Sequence, residues 1–286
     1  MQLSRHLFAT ARALCLAVAC VAAAKTVAAQ TPLRVVSVNL CTDQLALMLA
    51  APGQLVSVSR LAHDPDSSSM VDAAIGLPAN GSGAEEIYLL NPDLVLAGTF
   101  TAPATVNMLR DLGIRVELFA PAGALSDVPF RVAQMGEALG RQNEAAALIS
   151  TFEAELATLR SNAGTTRPRA VLTYVNSYSS GDATLAGDIL RAAGFDNAAA
   201  ELGLSSVGTV SLEQLILLNP DVIVQGRDYP GAARAEDNLH HPALSALKDA
   251  RFTSDMTDRD WICGTPHVLK AVHDMRALRL DLEAAQ

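Results

Sequence analysis

The sequence contains two near-copies of one motif: EEIYLLNPDLVLAG at residues 85–98 and LEQLILLNPDVIVQG at residues 212–226. In each copy a Glu and an apolar run precede Leu-Asn-Pro-Asp, and a run of aliphatic residues follows it. The spacing of the apolar residues predicts a short helix, which the Asn-Pro pair ends because a residue before Pro disfavours the α region. The aliphatic run is apolar on both faces, as in a strand of a buried parallel sheet. Each copy is therefore predicted to be a helix–turn–strand unit.

The two halves of the chain also open alike. The first half begins with a predicted strand over Arg34–Val38, followed by a loop and a helix whose N-cap is predicted to be Thr42 or Asp43. The second half begins with a predicted strand over Arg169–Tyr174 and reaches Leu-Asn-Pro-Asp at a similar distance. This repetition predicts an α/β fold with two similar lobes, each a sheet wound with helices.

A single long helix is predicted to join the lobes. The stretch Arg141–Ala163 contains neither Gly nor Pro and would form a rod of roughly 35 Å. One apolar stripe follows it, formed by Leu148, Phe152, Leu156 and Leu159. The predicted division is an N-terminal lobe at 30–140, the connecting helix at 141–163 and a C-terminal lobe at 164–286. A rigid connection of this kind does not favour a wide hinge motion.

The first 29 residues read as a secretory signal peptide. Arg5 and Arg12 precede the apolar stretch Ala13–Ala24, which is too short to span a bilayer. We therefore expect residues 1–29 to be removed and the mature chain to lie in the periplasm. A lipid anchor on Cys20 is the less favoured alternative.

Charge and cysteine usage narrow the class of protein. Without residues 1–29 the chain has 18 Lys+Arg against 30 Asp+Glu, which argues against nucleic acid and anionic membranes as partners. Only Cys41 and Cys263 remain, too few for a disulfide framework. The sequence has no GxSxG, phosphate-loop or HExxH motif, so an enzyme is not predicted.

The signal peptide, the opening RVVSVNLCTDQLALMLA at residues 34–50, the duplicated Glu…Asn-Pro-Asp unit and the long helix together resemble the class III periplasmic binding proteins. These proteins deliver ferric siderophores, haem and cobalamin to ABC importers. The resemblance covers the chain from about Leu33 to Leu280. It implies two Rossmann-like lobes with the ligand in the cleft between them. It also implies a monomer without a resident cofactor, whose ligand is a small molecule.

The resemblance further implies that Glu85 and Glu213 dock onto an ABC transporter permease dimer at the inner membrane. Two equivalent acidic residues on two similar lobes suit a two-fold partner. The alternative is that each Glu only interacts favourably with the dipole of its own helix.

The ligand site is predicted at the carboxyl ends of the strands, where ligands bind in open α/β sheets. Aromatic side chains in these loops would stack against a large planar ligand. The predicted ligand-binding residues are Asn39, Cys41, His63, Phe100, Tyr178, Tyr229, Trp261, Cys263 and His267.

Cys41, His63, Cys263 and His267 leave three interpretations open. They could ligate a metal, either a free ion or one held in haem or a corrinoid. The two cysteines could instead form a disulfide, which the periplasm permits. All four could also be ordinary residues of tight loops.

The predicted ligand is a cobalamin-type corrinoid, with haem, a ferric siderophore or a free zinc or manganese ion as alternatives. Corrinoid-binding relatives often carry an aromatic residue six positions before each docking Glu, where this chain has Ala79 and Val207. A free-ion binder would need three or four converging His or carboxylate ligands, and the chain has only six His.

Overall fold

The computed structural model describes most of the chain after the predicted signal peptide, and Leu33–Gln286 packs as one compact unit. The predictions for residues 1–29 and for Tyr229 lie outside the described residues. The described ranges are 33–161, 166–226, 236–247, 250–253 and 258–285.

The first lobe contains a parallel sheet of five strands. They are β1 (Val35–Ser37), β2 (Leu55–Ser59), β3 (Ala79–Asn80), β4 (Leu94–Gly98) and β5 (Arg115–Phe119). Their spatial order is β3-β2-β1-β4-β5, and every pair of neighbours is parallel.

The second lobe contains a four-stranded parallel sheet and a separate two-stranded ribbon. The strands are β6 (Arg169–Thr173), β7 (Tyr178–Ser180), β8 (Asp196–Asn197), β9 (Val207–Thr209), β10 (Val222–Gln225) and β11 (Arg251–Thr253). The sheet order is β11-β10-β6-β8, while β7 and β9 pair antiparallel. The strands β6 and β10 correspond to β1 and β4 of the first lobe, as the duplicated motif predicts.

The α-helices surround these sheets. Their bounds are α1 (Leu40–Leu49), α2 (Val71–Ala74), α3 (Ala84–Leu89), α4 (Pro103–Asp111), α5 (Val128–Leu139), α6 (Gln142–Ser161), α7 (Leu185–Ala193), α8 (Leu212–Leu218) and α9 (Val268–Ala284). Among the described residues, no helix combines the length and apolar character needed to cross a bilayer.

The long helix between the lobes is α6, close to the predicted bounds. On its predicted stripe, Phe152, Leu156 and Leu159 are buried. They belong to a hydrophobic cluster that also contains Val35 of β1 and Leu172 of β6. The two lobes therefore share one apolar core.

The duplicated Asn has a conformational reason. Asn91 and Asn219 both adopt the left-handed backbone conformation, with φ of 48° and 44°. Asn tolerates this conformation better than most residues with a side chain. Asn219 is the C-cap of α8, while Asn91 follows Leu90, the C-cap of α3. In both copies the Asn turns the chain from the helix into the next strand, β4 or β10.

The duplicated Asp has a hydrogen-bonding reason. The carboxylate of Asp93 accepts a hydrogen bond from the backbone N–H of Arg34 at 2.7 Å, and Asp221 accepts one from the N–H of Arg169, also at 2.7 Å. Each Asp also donates its own N–H to the carbonyl of the same Arg. The motif therefore fixes the start of the second strand against the start of the first in both lobes.

The prediction of Thr42 or Asp43 as an N-cap is wrong. The helix α1 begins earlier, at Leu40, because the side chain of Asn39 accepts a hydrogen bond from the N–H of Cys41 at 3.1 Å. Asp43 is instead buried, and it accepts hydrogen bonds from the N–H of Ser59 at 3.1 Å and from its hydroxyl at 2.5 Å. Burial is the main cause that raises the pKa of Asp43, and hydrogen bonds to the carboxyl group oppose it.

We expect Asp93→Ala and Asp221→Ala each to lower the free energy of unfolding by about 1–2 kcal/mol, because each leaves a strand-end N–H without its charged acceptor. Urea unfolding would measure both. Asp111→Ala, at the exposed end of α4, is the control and should stay within about 0.5 kcal/mol of the parent. A neutral effect at either motif position would contradict the equivalence of the two copies.

Candidate functional site

Two neighbouring cavities lie at the carboxyl ends of the strands. The larger has a volume of about 290 Å³ and belongs mainly to the second lobe. It is lined by Ala122, Leu172, Tyr174, Ser180, Thr184, Leu185, Ala186, Val207, Val224, Gln225, Gly226, Trp261 and Ile262. Most of its wall is therefore apolar or aromatic, with a few uncharged polar groups.

The smaller cavity has a volume of about 90 Å³ and belongs mainly to the first lobe. It is lined by Asn39, Cys41, Thr42, Leu45, Gly98, Thr99, Phe100, Phe119, Ala120, Pro121, Ala122, Arg131, Ile262 and Gly264. Ala122 and Ile262 line both cavities. The two cavities are thus adjoining parts of one cleft between the lobes.

A disulfide joins the lobes at this cleft. Cys41 and Cys263 are bonded, with their Cα atoms 5.1 Å apart. Of the three interpretations of these cysteines, the structure shows the disulfide, so their sulfurs are not available as metal ligands. The bond also fixes Ile262 and Gly264, which flank Cys263, beside the smaller cavity.

Further contacts hold the same loop against the first lobe. A Cβ atom on Gly264 would lie 2.1 Å from the Cβ of Ala122, so only Gly fits at this approach. The hydroxyl of Thr265 lies 3.3 Å from the side-chain oxygen of Gln44. The hydroxyl of Ser69 is 3.0 Å from the carbonyl of Arg259. The loop that carries Trp261 is therefore held to the first lobe on either side of the disulfide.

Four of the predicted site residues line the cleft with their predicted loops. Asn39, Cys41 and Phe100 line the smaller cavity, and Phe100 is 87% exposed. Trp261 lines the larger cavity. These residues come from both lobes, as the prediction of a cleft between lobes requires.

Other predicted site residues do not line either cavity. Tyr178 begins β7, is half exposed and does not line a cavity. The aromatic side chain that lines the larger cavity near the predicted position is Tyr174. The Nε2 atoms of His63 and His267 are buried, with no hydrogen-bond partner among the described residues. Burial lowers the pKa of His267, while the nearby Asp260 opposes that shift.

The free-ion form of the metal-ligand interpretation has no supporting geometry in the described part of the chain. There, no group of three or more His, Cys, Asp and Glu side chains is arranged to hold an ion. His63 and His267 therefore do not form part of such a group.

Arg131 is a site residue that the sequence analysis missed. Among the described residues that line the two cavities, it is the one with a charged side chain. One guanidinium nitrogen donates to Gln134 at 3.3 Å, and its buried Nε has no partner among the described residues. Arg131 lies in α5, the helix that follows β5. The expectation that ligands bind at the carboxyl ends of strands points to this region once β5 is counted among those strands.

The two predicted docking residues occupy equivalent places. Glu85 and Glu213 are both exposed, in the first turns of α3 and α8. A hydrogen bond from its own backbone N–H and one from the hydroxyl of Ser211, at 2.8 Å, lower the pKa of Glu213. Its side chain is therefore ionised at neutral pH.

The helix ends do not need these two residues as caps. In each copy the residue after this Glu accepts the capping hydrogen bond from the backbone N–H of the N-cap residue. Glu86 accepts it from Gly83 and Gln214 accepts it from Ser211, both at 2.9 Å. Glu85 and Glu213 thus take no part in either of these capping bonds.

The family model described as "Periplasmic binding protein" matches residues 35–248. The chain belongs to the periplasmic binding protein family. The match extends from β1 of the first lobe almost to β11 of the second.

This periplasmic binding protein has curated relatives in Halobacterium salinarum. A protein named as a cobalamin-binding protein, found in two strains, is 32% identical over 202 residues. The alignment covers 68% of this chain and 54% of the relative. The chain therefore spans about half the length of these relatives.

Solved structures share the two-lobed fold. The periplasmic haem-binding protein RhuT from Roseiflexus sp. RS-1 has a TM-score of 0.72 at 24% identity, covering 86% of this chain and 97% of its own. The haem-binding protein HutB of Vibrio cholerae has a TM-score of 0.73 at 19% identity, with coverages of 86% and 98%. The vitamin B12 binding protein BtuF of Vibrio cholerae has a TM-score of 0.64 at 18% identity, with coverages of 86% and 96%. At these identities the likeness is one of fold alone.

We expect the double change Cys41→Ser/Cys263→Ser to lower the free energy of unfolding of this binding protein by about 2–4 kcal/mol, because the unfolded chain is then no longer cross-linked. Chemical denaturation with and without a reductant would measure it. Reduction should destabilise the parent by a similar amount and leave the double variant unchanged. A reductant effect of equal size on both proteins would mean that the bond does not form.

Proposed function

We propose that this chain is the periplasmic solute-binding component of an ABC importer and that it carries a cobalamin-type corrinoid. The observation that supports this most strongly is the cleft between the lobes. Its described lining consists of apolar and aromatic side chains and uncharged polar groups, with one charged residue. Ligand pockets are typically apolar with a few placed polar groups.

The chemistry of the cleft matches a corrinoid better than the other candidate ligands. Cobalamin has a large ring system with neutral amides around its edge and one negatively charged phosphodiester. Trp261 and Tyr174 offer flat apolar surfaces, Asn39 and Gln225 offer amides, and Arg131 offers one positive charge. Haem carries two propionates and a ferric catecholate siderophore carries more charge. Both would meet fewer cations among the described lining residues than they have anionic groups.

The relatives support the same choice. The curated proteins that match at 32% identity are named as cobalamin-binding. Haem is the second candidate, because several proteins of the same fold are named as haem-binding and a tyrosine, Tyr174, lines the larger cavity. A phenolate oxygen is one of the groups that can ligate haem iron.

Delivery would occur through docking on a two-fold permease. Glu85 and Glu213 are exposed, equivalent in the two lobes and not needed to cap their helices. A carboxylate facing Arg across an interface forms a charge-assisted, often bidentate, pair.

Titration of the protein with cyanocobalamin, haemin and a ferric siderophore would test the ligand. Trp261 is the single Trp of the chain and lines the larger cavity, so its fluorescence should be quenched or shifted on binding. We expect saturable binding of cyanocobalamin. Binding of haemin and not of cyanocobalamin would overturn the proposal that the ligand is a corrinoid and would favour haem.

Arg131→Met gives this test an internal control. It should weaken binding of cyanocobalamin by about ten- to a hundred-fold, as expected for loss of a hydrogen bond to a charged group. Cobinamide lacks the phosphodiester, so its affinity should not change, and Arg131→Lys should retain part of the cobalamin affinity. An equal loss for both corrinoids would mean that Arg131 does not bind the phosphodiester.

For docking, Glu85→Ala and Glu213→Ala should each weaken binding to the importer by about thirty-fold or more, because the opposing charge is left unpaired. Ligand affinity should stay the same, since neither residue lines the cleft. Binding to the importer and uptake by cells would measure the effect. Normal uptake with both residues changed would remove these positions from the docking surface.

A further inference from the structure

Two exposed leucines occupy the same place in the two copies of the motif. Leu89 is 75% exposed and Leu217 is 84% exposed. Each lies four residues after the proposed docking Glu of its copy. The residue two positions earlier is buried in each copy, Ile87 in α3 and Leu215 in α8. The two helices therefore present the same face to the interior and the same face to solvent.

Each leucine lies beside the acidic residue of its copy. Side chains four residues apart are neighbours on a helix surface, so Glu85 and Leu89 form one contiguous patch, and Glu213 and Leu217 form another. We call these two patches the first-lobe tip and the second-lobe tip.

The conformation of each tip is fixed by the rest of its motif. The left-handed Asn that follows, Asn91 or Asn219, sets the end of the helix. The Asp after it is held at the first strand of its lobe by the 2.7 Å hydrogen bond from a backbone N–H. The backbone that follows each helix is therefore fixed, and each leucine stays on the solvent-facing side of its helix.

These leucines bury little apolar surface within the protein and therefore contribute little to its stability. Single exposed apolar residues are common and need no explanation. Here, however, a large apolar side chain is exposed at matched positions of two copies, each time next to the matched acidic residue. An interface with an apolar centre and charged groups around it has this composition.

We propose that Leu89 and Leu217 are apolar anchors of the permease-docking surface, each entering an apolar pocket beside the basic group that receives Glu85 or Glu213. This inference rests on the proposed function. The matched tips favour a partner that presents the same pocket twice, as two equivalent permease subunits do. Because the two contacts are linked through one rigid protein, loss of both should exceed the loss of either one.

The test uses Leu89→Ser, Leu217→Ser and the double change. Two exposed residues away from the tips serve as the matched control, Ile75→Ser in the first lobe and Leu280→Ser in the second. Binding to the purified importer in nanodiscs is measured with and without cyanocobalamin, together with Trp261 fluorescence and the thermal midpoint. Each single change should weaken docking about ten-fold or more and the double change further, as loss of a buried Leu side chain predicts. The control changes should alter docking by less than about two-fold, and no variant should bind ligand differently.

The outcomes separate this inference from the proposed function. The Glu85→Ala/Glu213→Ala variant could lose docking while the leucine double variant keeps it. This result would show that the leucines are not anchors, and it would leave Glu85 and Glu213 as docking residues. If both double variants dock normally, the proposed docking surface itself is wrong. If the leucine changes alter the sedimentation of the protein alone and not its docking, the tips bind a second copy of this chain, which also overturns the inference.

Discussion

The cleft depends on the fixed contact between the two lobes. The disulfide between Cys41 and Cys263 joins them covalently, and the buried carboxylate of Asp188 accepts a hydrogen bond from the N–H of Leu125 at 2.9 Å across the same boundary. A shared apolar core and α6 add to this connection. The residues that line the cleft are therefore held in place before any ligand arrives, and a preformed site loses less entropy on binding.

The two lobes are built alike but contribute differently to the cleft. The ribbon of β7 and β9 occurs in the second lobe, and it supplies Ser180 and Val207 to the larger cavity. The first lobe supplies Arg131 to the smaller cavity. The chain has a net charge of −9, yet the described residues that line the two cavities include no Asp or Glu. An anionic group on the ligand would thus meet a cation without an opposing carboxylate.

Much of the fold could be predicted from the sequence because its signals are local. The duplicated Leu-Asn-Pro-Asp motif and the apolar stripe of α6 each act within a few residues. The N-cap of α1 was misplaced because Asn39, Thr42 and Asp43 are all suitable capping residues. Only the position of Ser59, on another strand, shows that the carboxyl group of Asp43 is already engaged.

The site could be predicted in part. The rule that ligands bind at the carboxyl ends of parallel strands identifies the loops of the site, but it does not say which of their side chains face the cleft. The sequence by itself determined the two-lobed α/β plan, the matched acidic residues and the placement of Trp261 on a cleft loop. The tertiary structure decided that Cys41 and Cys263 are bonded, that His63 and His267 do not line the cavities, and that Arg131 does. The physical reason is distance along the chain: Cys41 and Cys263 are 222 residues apart, and only the packing of one lobe on the other brings such residues together.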